Sequence, residues 1–490
     1  MPMRQAPNIL LLHCDSLDGR VMGCAGHAAA HTPNLDALAA RGLRFRNAYC
    51  PSPLCVPSRV ATWLGQHSHR SHTWGNPYGV ASDEGSFMQK LQTAGYDAAS
   101  IGRDDRFAGG HSMANRLTAW TRSSGVFLAR GDVSPRATLA TDLDVRVREI
   151  DWKHTDEACA RLARFRSGDP PWILSLGWIA PHPMGGYRTS PTWLDRIDAD
   201  KISLPPADRS EHPAMAYMRR AKGVPDNLPD EEVLAIRRHY CAMVAEVDAQ
   251  IGLVLAQLER SGLADSTVVI FFSDHGDLQM EHRQWRKSAF FEGSARVPLI
   301  LAGPGLPSGV VCDELASLLD LHPTLIELAG LPHDEQSDGI SLLGEDLPED
   351  RPIVAQYHDS MQPTGSFMLR EGLWKLIEFV GMDPLLFHLG EDPDEIDDRS
   401  RRDAAVCERL RKRLRQLVDP DAIDQEAKVH DRRCLRTWRD LIGEAAYRDT
   451  MRQFFPTIGD EDFRELDRWL AEPLPPVASF GNNQTNTKIN

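Results

Sequence analysis

Apolar and polar positions follow two rhythms along this chain. Short unbroken apolar runs at residues 8–13, 96–101, 172–176, 267–272 and 297–302 are bounded by Gly, Asp or Pro. Runs of that kind predict central strands of a sheet covered on both faces. Between them lie stretches with helical spacing at 33–41, 57–64, 155–165 and Asp230–Arg260, the last stopped by Ser261-Gly262. The alternation predicts an α/β fold, a large mainly parallel sheet flanked by helices. Beyond residue 345 the texture changes. Apolar pieces at 352–357, 366–370, Trp374–Phe379 and 385–389 predict a smaller antiparallel sheet, and a helical pattern follows over Ala404–Leu417. The organisation expected is a large domain over 1–345, an α+β subdomain over 346–472 and a flexible Pro- and Asn-rich tail over 473–490.

In sheets of this kind, ligands gather outside the carboxyl ends of the strands. The polar residues that follow the predicted strands are Asp15, Arg103, His182 and Asp274 with His275. Sheet geometry alone makes them the first candidates for chemistry.

Composition narrows the classes. The 490 residues carry a formal charge of -15, from 55 basic and 70 acidic residues. That balance argues against a general nucleic-acid binder, yet leaves room for a local anion pocket built from a few cations. No unbroken apolar run nears the roughly 20 residues of a membrane span, and the run at 9–12 is too short for a signal-peptide core. The nine cysteines are odd in number and show no C-x-x-C spacing. Reduced thiols in a cytoplasmic protein, without membrane or nucleic-acid partners, are the expectation.

The most specific string is Ser52-Pro53-Leu54-Cys55-Val56-Pro57-Ser58-Arg59. Pro57 suits the first turn of a helix. Cys55 then lies at a helix N-terminus, where N–H groups attract an anion. Arg59, one turn on, can fork onto an oxyanion or orient a nucleophile. The string contains C-x-P-S-R, and the chain here resembles the type I sulfatases of the alkaline-phosphatase-like superfamily. The resemblance implies that a formylglycine-generating enzyme oxidises Cys55 to formylglycine, whose hydrate attacks a sulfate ester. It implies a divalent metal on Asp15, Asp274 and His275, with residue 55, from Cys55, as a further ligand. Calcium suits the oxygen ligands, and the His widens the choice to manganese or magnesium. Many family members carry two consecutive acids at the first position, where this chain has Asp15-Ser16.

Other positions carry over with differences. Lys287 stands four residues before Phe291-Glu292, the spacing of the family's active-site lysine, and implies a cation on the sulfate. His182, in Pro181-His182-Pro183, matches a loop whose His can protonate the leaving oxygen. Where the family has Gly-Lys-Trp-His, this chain has Gly102-Arg103-Asp104-Asp105. Arg103 keeps the sulfate-binding charge, while Asp105 stands in place of a His.

Longer strings at 14–20, 109–122 and 274–284 resemble the arylsulfatase K branch of that family, which implies a 2-O-sulfated uronate or related sugar as substrate. A uronate carboxylate needs further cations. His111, Arg116 and Arg122 are candidates, as are His67, His69, Arg70 and His72, with Trp74 as a face for sugar stacking. Two alternatives stand beside this reading. One is a phosphonate monoester or phosphodiester hydrolase of the same superfamily, whose Asp followed by a non-acidic residue resembles Asp15-Ser16. The other is a non-catalytic sulfated-glycan binder, against which the complete set of candidate residues argues.

Overall fold

The computed structural model describes residues 6–128, 134–207, 210–225, 227–344, 347–348 and 351–474. The strands before residue 320 are β1 (Asn8–Asp15), β2 (Leu43–Tyr49), β3 (Asp97–Gly102), β4 (Ala137–Leu139), β5 (Trp172–Pro181), β6 (Tyr187–Thr189), β7 (Thr267–Ser273), β8 (Arg296–Val297), β9 (Leu299–Ala302) and β10 (Val310–Ser317). β4 and β6 pair with each other. The rest form one sheet of order β10-β2-β9-β7-β1-β5-β3, with β8 on β2. β1 is parallel to both β5 and β7, β3 to β5, and β10 to β2.

The run expected as one strand at 297–302 is instead two short ones, β8 and β9, each antiparallel to its neighbours. Pro298 separates them, since it has no N–H for a ladder. β2 and β10 carry no unbroken apolar run, because polar residues such as Arg46, Asn47 and Asp313 interrupt them. Both lie toward the solvated edge of the sheet.

β1 explains why the central runs are apolar at every position. Leu10 and Leu12 enter one core cluster while Ile9 and Leu11 enter another, all fully buried. The first cluster is closed by the helix Asp230–Arg260, through Ile236, Tyr240, Val247 and Ile251. By length and composition this helix could cross a membrane, although its apolar residues are interrupted by polar ones and form no unbroken run. In the structure 72% of its apolar window is buried inside the protein.

The C-terminal antiparallel sheet runs in chain order: β11 (Ile353–Tyr357), β12 (Ser366–Glu371), β13 (Trp374–Phe379) and β14 (Leu385–His388). One face, with Ile353, Ala355, Tyr357 and Met368, joins the core of the large sheet. The other, with Val354, Phe367 and Leu369, packs on Leu410 and Leu414 of the helix Ala404–Leu417. Three further helices, Pro420–Ile442, Glu444–Phe454 and Asp460–Ala471, were not expected from the sequence. They bury Leu435, Trp438 and Tyr447 against Leu117 and Trp120 of the helix Met113–Thr121. The flexible tail expected over 473–490 lies, from residue 475 onward, outside the described residues.

Candidate active site

Four parallel strands end on one edge of the sheet and deliver the candidates together. Asp15 closes β1, Arg103 follows β3, His182 follows β5, and Asp274-His275 follow β7. Arg103 depends on a close approach of two strands. Gly102 pairs with Gly177 across β3 and β5, and a Cβ on Gly102 would lie 2.2 Å from the Gly177 carbonyl. The Arg103 N–H donates to that same carbonyl at 2.8 Å.

Cys55 enters this edge from a helix, Cys55–Leu64, that begins two residues before Pro57 rather than at it. The start at Cys55 changes the expected anion site. The Val56 N–H is taken by Asn76 Oδ1 at 3.1 Å, Pro57 has none, and the Ser58 N–H bonds the Leu54 carbonyl. Anion binding therefore falls to side chains more than to backbone at this terminus. Lys287 Nζ donates to Cys55 Sγ at 2.7 Å, and His275 Nε2 lies 3.5 Å from the same sulfur. Burial pushes the Cys55 thiol up to about 12, with the Asp15 carboxylate adding to the shift and Lys287 opposing it. An unmodified Cys55 is thus a neutral thiol at neutral pH and a poor nucleophile.

Asp15, Cys55, Asp274 and His275 are buried, and their ligand atoms lie within 4.8 Å of one another. His275 settles its own tautomer. Nδ1 is 3.0 Å from the Gly276 carbonyl, an acceptor only, so Nδ1 carries the proton and Nε2 presents a lone pair. That lone pair faces Asp15 Oδ1 at 3.5 Å and Asp274 Oδ1 at 3.6 Å. Three acceptors facing one another call for a cation among them. A carboxylate–imidazole set fits a divalent metal, with the Gly276 carbonyl fixing the ring from behind. The Asp274 carboxyl shows the same need: burial pushes it up to about 7 in spite of Arg59. Asp15 is also buried, but the cations around it, led by Lys287, hold it well below the usual carboxylate range.

The cations divide by exposure. The Arg59 side chain is fully buried. Its Nε bonds Asp274 Oδ2 at 2.9 Å, and its Nη1 bonds the Arg103 carbonyl at 2.8 Å and meets His13 Nδ1 at 3.1 Å. This geometry orients the carboxylates, and beyond its 3.6 Å approach to Asp15 it leaves Nη2 buried without a hydrogen bond among the described residues. Arg103 lies 3.4 Å from Asp15 and keeps 23% of its side chain exposed, so it can reach a bound ester. Its Nη2 also holds Asp105 at 2.8 Å, and His111 Nε2 is 3.4 Å from the same carboxylate oxygen. Asp105 therefore stands between Arg103 and His111 in the place where the family has a His. His182 Nδ1 is buried with no hydrogen-bond partner among the described residues. Burial and the like charge of Lys287 push its ring well below the usual imidazole range. Around Lys287, Gln279, Met280, His282, Arg283, Arg286 and Ser288 all take positive φ. Such clusters of backbone strain mark functional loops.

Several expected substrate contacts are not there. Arg122 is buried and paired with Asp431 at 2.6 Å and Asp424 at 3.6 Å, so its charge belongs to the C-terminal helices. Trp74 is 1% exposed, packed with Phe367 and Leu369, and offers no face to a sugar. Arg70 pairs with Asp338, His72 with Glu426, and His69 with Gln356. His67 is half-buried and stacked on His69. Arg116 has no carboxylate partner among the described residues and sits on the helix whose Asn115 touches His111 at 3.3 Å. Two residues that matter to the site, His13 and Asn76, were missed. A lone His inside the apolar run of β1 was the available signal for the first. For Asn76 the sequence carries none.

A family model described as Sulfatase matches residues 7–331, and one described as N-sulphoglucosamine sulphohydrolase, C-terminal, matches 280–420. The chain is 33% identical over 468 residues to arylsulfatase K of Bos taurus, covering 90% of this chain and 86% of that protein. Among solved structures it resembles the phosphonate monoester hydrolase of Agrobacterium radiobacter, with a TM-score of 0.69 at 22% identity over 84% of this chain and 95% of that one. It also resembles a 2-O GAG sulfatase, with a TM-score of 0.65 at 23% identity over 86% and 93%. The two structural likenesses establish the alkaline-phosphatase-like fold. The sequence matches, which run through every residue gathered at the carboxyl edge of the sheet, go further: the chain belongs to the sulfatase family and is a sulfuric ester hydrolase.

Proposed function

We propose that residue 55, as formylglycine, carries the nucleophile of this sulfatase, and that the substrate is a 2-O-sulfated uronate or a close relative. The observation that carries the first half is the position of the Cys55 sulfur, 2.7 Å from Lys287 Nζ and 3.5 Å from His275 Nε2. In this reading Sγ stands in for the nucleophilic oxygen. A formylglycine-generating enzyme is the maturation partner. Addition of water to the aldehyde gives a geminal diol. One hydroxyl loses its proton and attacks sulfur, and the bond from sulfur to the leaving oxygen breaks. The second hydroxyl then loses its proton, the C=O bond re-forms, and sulfate departs. A plain Ser would be left as a stable ester after the first half.

Asp15, Asp274 and His275 would hold a divalent metal, calcium or manganese being the best matches to the donors. When bound, that ion supplies positive charge beside the nucleophilic oxygen. Lys287 places an ammonium on the same oxygen, Arg103 neutralises the sulfate from its open side, and Arg59 keeps both carboxylates in place. His182 donates a proton to the leaving oxygen. Its ring is neutral in the free enzyme, and an arriving sulfate anion offsets the Lys287 charge that lowers its pKa. Replacing His182 with Ala should slow alkyl sulfates by about 10²- to 10⁴-fold, while 4-nitrophenyl sulfate, whose leaving group needs no proton, should lose far less. Equal losses in the two assays would assign His182 to sulfate binding instead.

The similarity to arylsulfatase K supports the uronate reading. The carboxylate of such a sugar needs a cation outside the sulfate pocket. With Arg122 held by Asp431, the basic side chains left for it among those candidates are Arg116 and His111. A charge-assisted contact of this kind contributes roughly 1.5–3 kcal/mol, or about a tenfold to hundredfold preference. The enzyme should favour 2-sulfated glucuronate over 2-sulfated glucose, and Arg116→Ala should narrow the gap in kcat/KM. Equal cleavage of the two sugars contradicts the uronate half of the proposal alone.

A further inference from the structure

The residue before Cys55 cannot cap its helix. Leu54 stands at the N-cap with no side-chain hydrogen bond, although the first N–H groups of any helix need partners. The cap comes from another part of the chain, through the 3.1 Å bond from the Val56 N–H to Asn76 Oδ1. Asn76 is itself fixed, its own N–H donating to Asp359 Oδ2 at 3.1 Å. The approach is tight, since a Cβ on the preceding Gly75 would lie 2.4 Å from that oxygen. Asp359 is 4% exposed and sits in the loop between β11 and β12, with its other oxygen held by the Ser360 N–H. The same loop reaches the lysine side of the site. Gln362 Nε2 donates to the Ser288 carbonyl at 2.8 Å, and the Ser288 N–H bonds the Pro53 carbonyl at 3.0 Å.

We propose that Asn76 is a positioning residue for the reaction: it caps the helix of residue 55 from outside, and Asp359 of the C-terminal sheet holds it there. Through Gln362 the same loop sets the segments on either side of the pair formed by residue 55 and Lys287. Neither Asn76 nor Asp359 needs to touch substrate. Their effect is on where the nucleophile sits relative to sulfur, so it should fall on kcat and leave KM almost unmoved. The inference rests on residue 55 carrying the nucleophile, and rates are therefore taken per molecule of modified residue 55, read from the mass of its peptide. Activity in enzyme wholly unmodified at residue 55 would refute that underlying reading and leave the capping geometry aside.

The test is the pair Asn76→Ala and Asn76→Asp, assayed with 4-nitrophenyl sulfate. Asn76→Ala removes the acceptor, and kcat should fall about tenfold to hundredfold, the scale on which misplaced reacting groups act. Asn76→Asp keeps an oxygen in the same place and should restore most of that loss, because Asp and Asn cap helices equally well. A stability defect alone would lower the yield of folded enzyme without this split between kcat and KM. An Asn76→Ala enzyme with wild-type kcat, or a loss that Asn76→Asp fails to restore, overturns the assignment. If Asn76→Ala does not fold, Asp359→Asn, which keeps one acceptor oxygen of two, must lower kcat at constant KM. Wild-type kcat in that variant overturns it equally.

Discussion

Cys55→Ala should lower sulfate ester hydrolysis by at least about 10⁴-fold, the scale seen when a catalytic nucleophile is deleted, with the melting temperature nearly unchanged. The residue is 2% exposed, but Ala fits the first turn of the helix and fills the space of the Cys Cβ. Cys55→Ser should behave differently in kind. Its hydroxyl keeps a hydrogen-bonding atom beside Lys287, yet after attack on sulfur it has no second hydroxyl with which to expel sulfate. A single turnover that leaves a sulfated serine in the peptide spanning position 55 is the expected result, detectable by mass. Steady turnover by either variant would remove residue 55 from the chemistry.

Metal removal should have the next largest effect. Stripping the ion with a chelator should reduce activity by about 10²- to 10³-fold, the range over which loss of a preorganised charge on a developing oxyanion acts. Adding back calcium or manganese should restore it. The binding should also be visible without turnover. With its pKa raised from the ordinary carboxylate range to about 7 by burial, Asp274 binds more protons in the folded, metal-free protein than in the unfolded chain. Its contribution to stability therefore declines as pH rises from about 4 to 7. A cation that needs the ionised carboxylate binds more tightly above that window. The rise in melting temperature on adding metal should be larger at pH 8 than at pH 6. Unchanged activity after chelation, together with no metal by elemental analysis, would contradict the site.

Much of this arrangement can be read in the sequence because the chemistry lies where the sheet's geometry puts it. Parallel strands buried on both faces must be apolar throughout, so the polar residues that end them stand out: Asp15, Arg103, His182 and Asp274 with His275. Each follows a strand whose partner was also recognisable, and the C-x-P-S-R string located Cys55. The unread parts depend on contacts between distant segments. Arg122 looks like a free cation in sequence, but Asp431, more than 300 positions away, claims it. Trp74 reads as an open aromatic face until β12 covers it. Asn76 carries no motif, and its role exists only because the loop after β11 folds back onto Gly75. The helices after Pro420 were missed because their buried residues, such as Leu435 and Trp438, are diluted by charges on the solvated faces. Asp105 departs from the family pattern in a legible way. Its consequence, a carboxylate shared by Arg103 and His111, required the coordinates.

The claim on which the mechanism turns is the identity of residue 55 in active enzyme. Mass spectrometry of the peptide spanning Ser52–Arg59, taken from preparations of differing specific activity, measures it directly. The account predicts a species in which –CH2SH has become –CHO, or its hydrate, in a fraction that rises in proportion to activity and increases on co-expression with a formylglycine-generating enzyme. Full activity in a preparation whose peptide retains the unmodified thiol would contradict it.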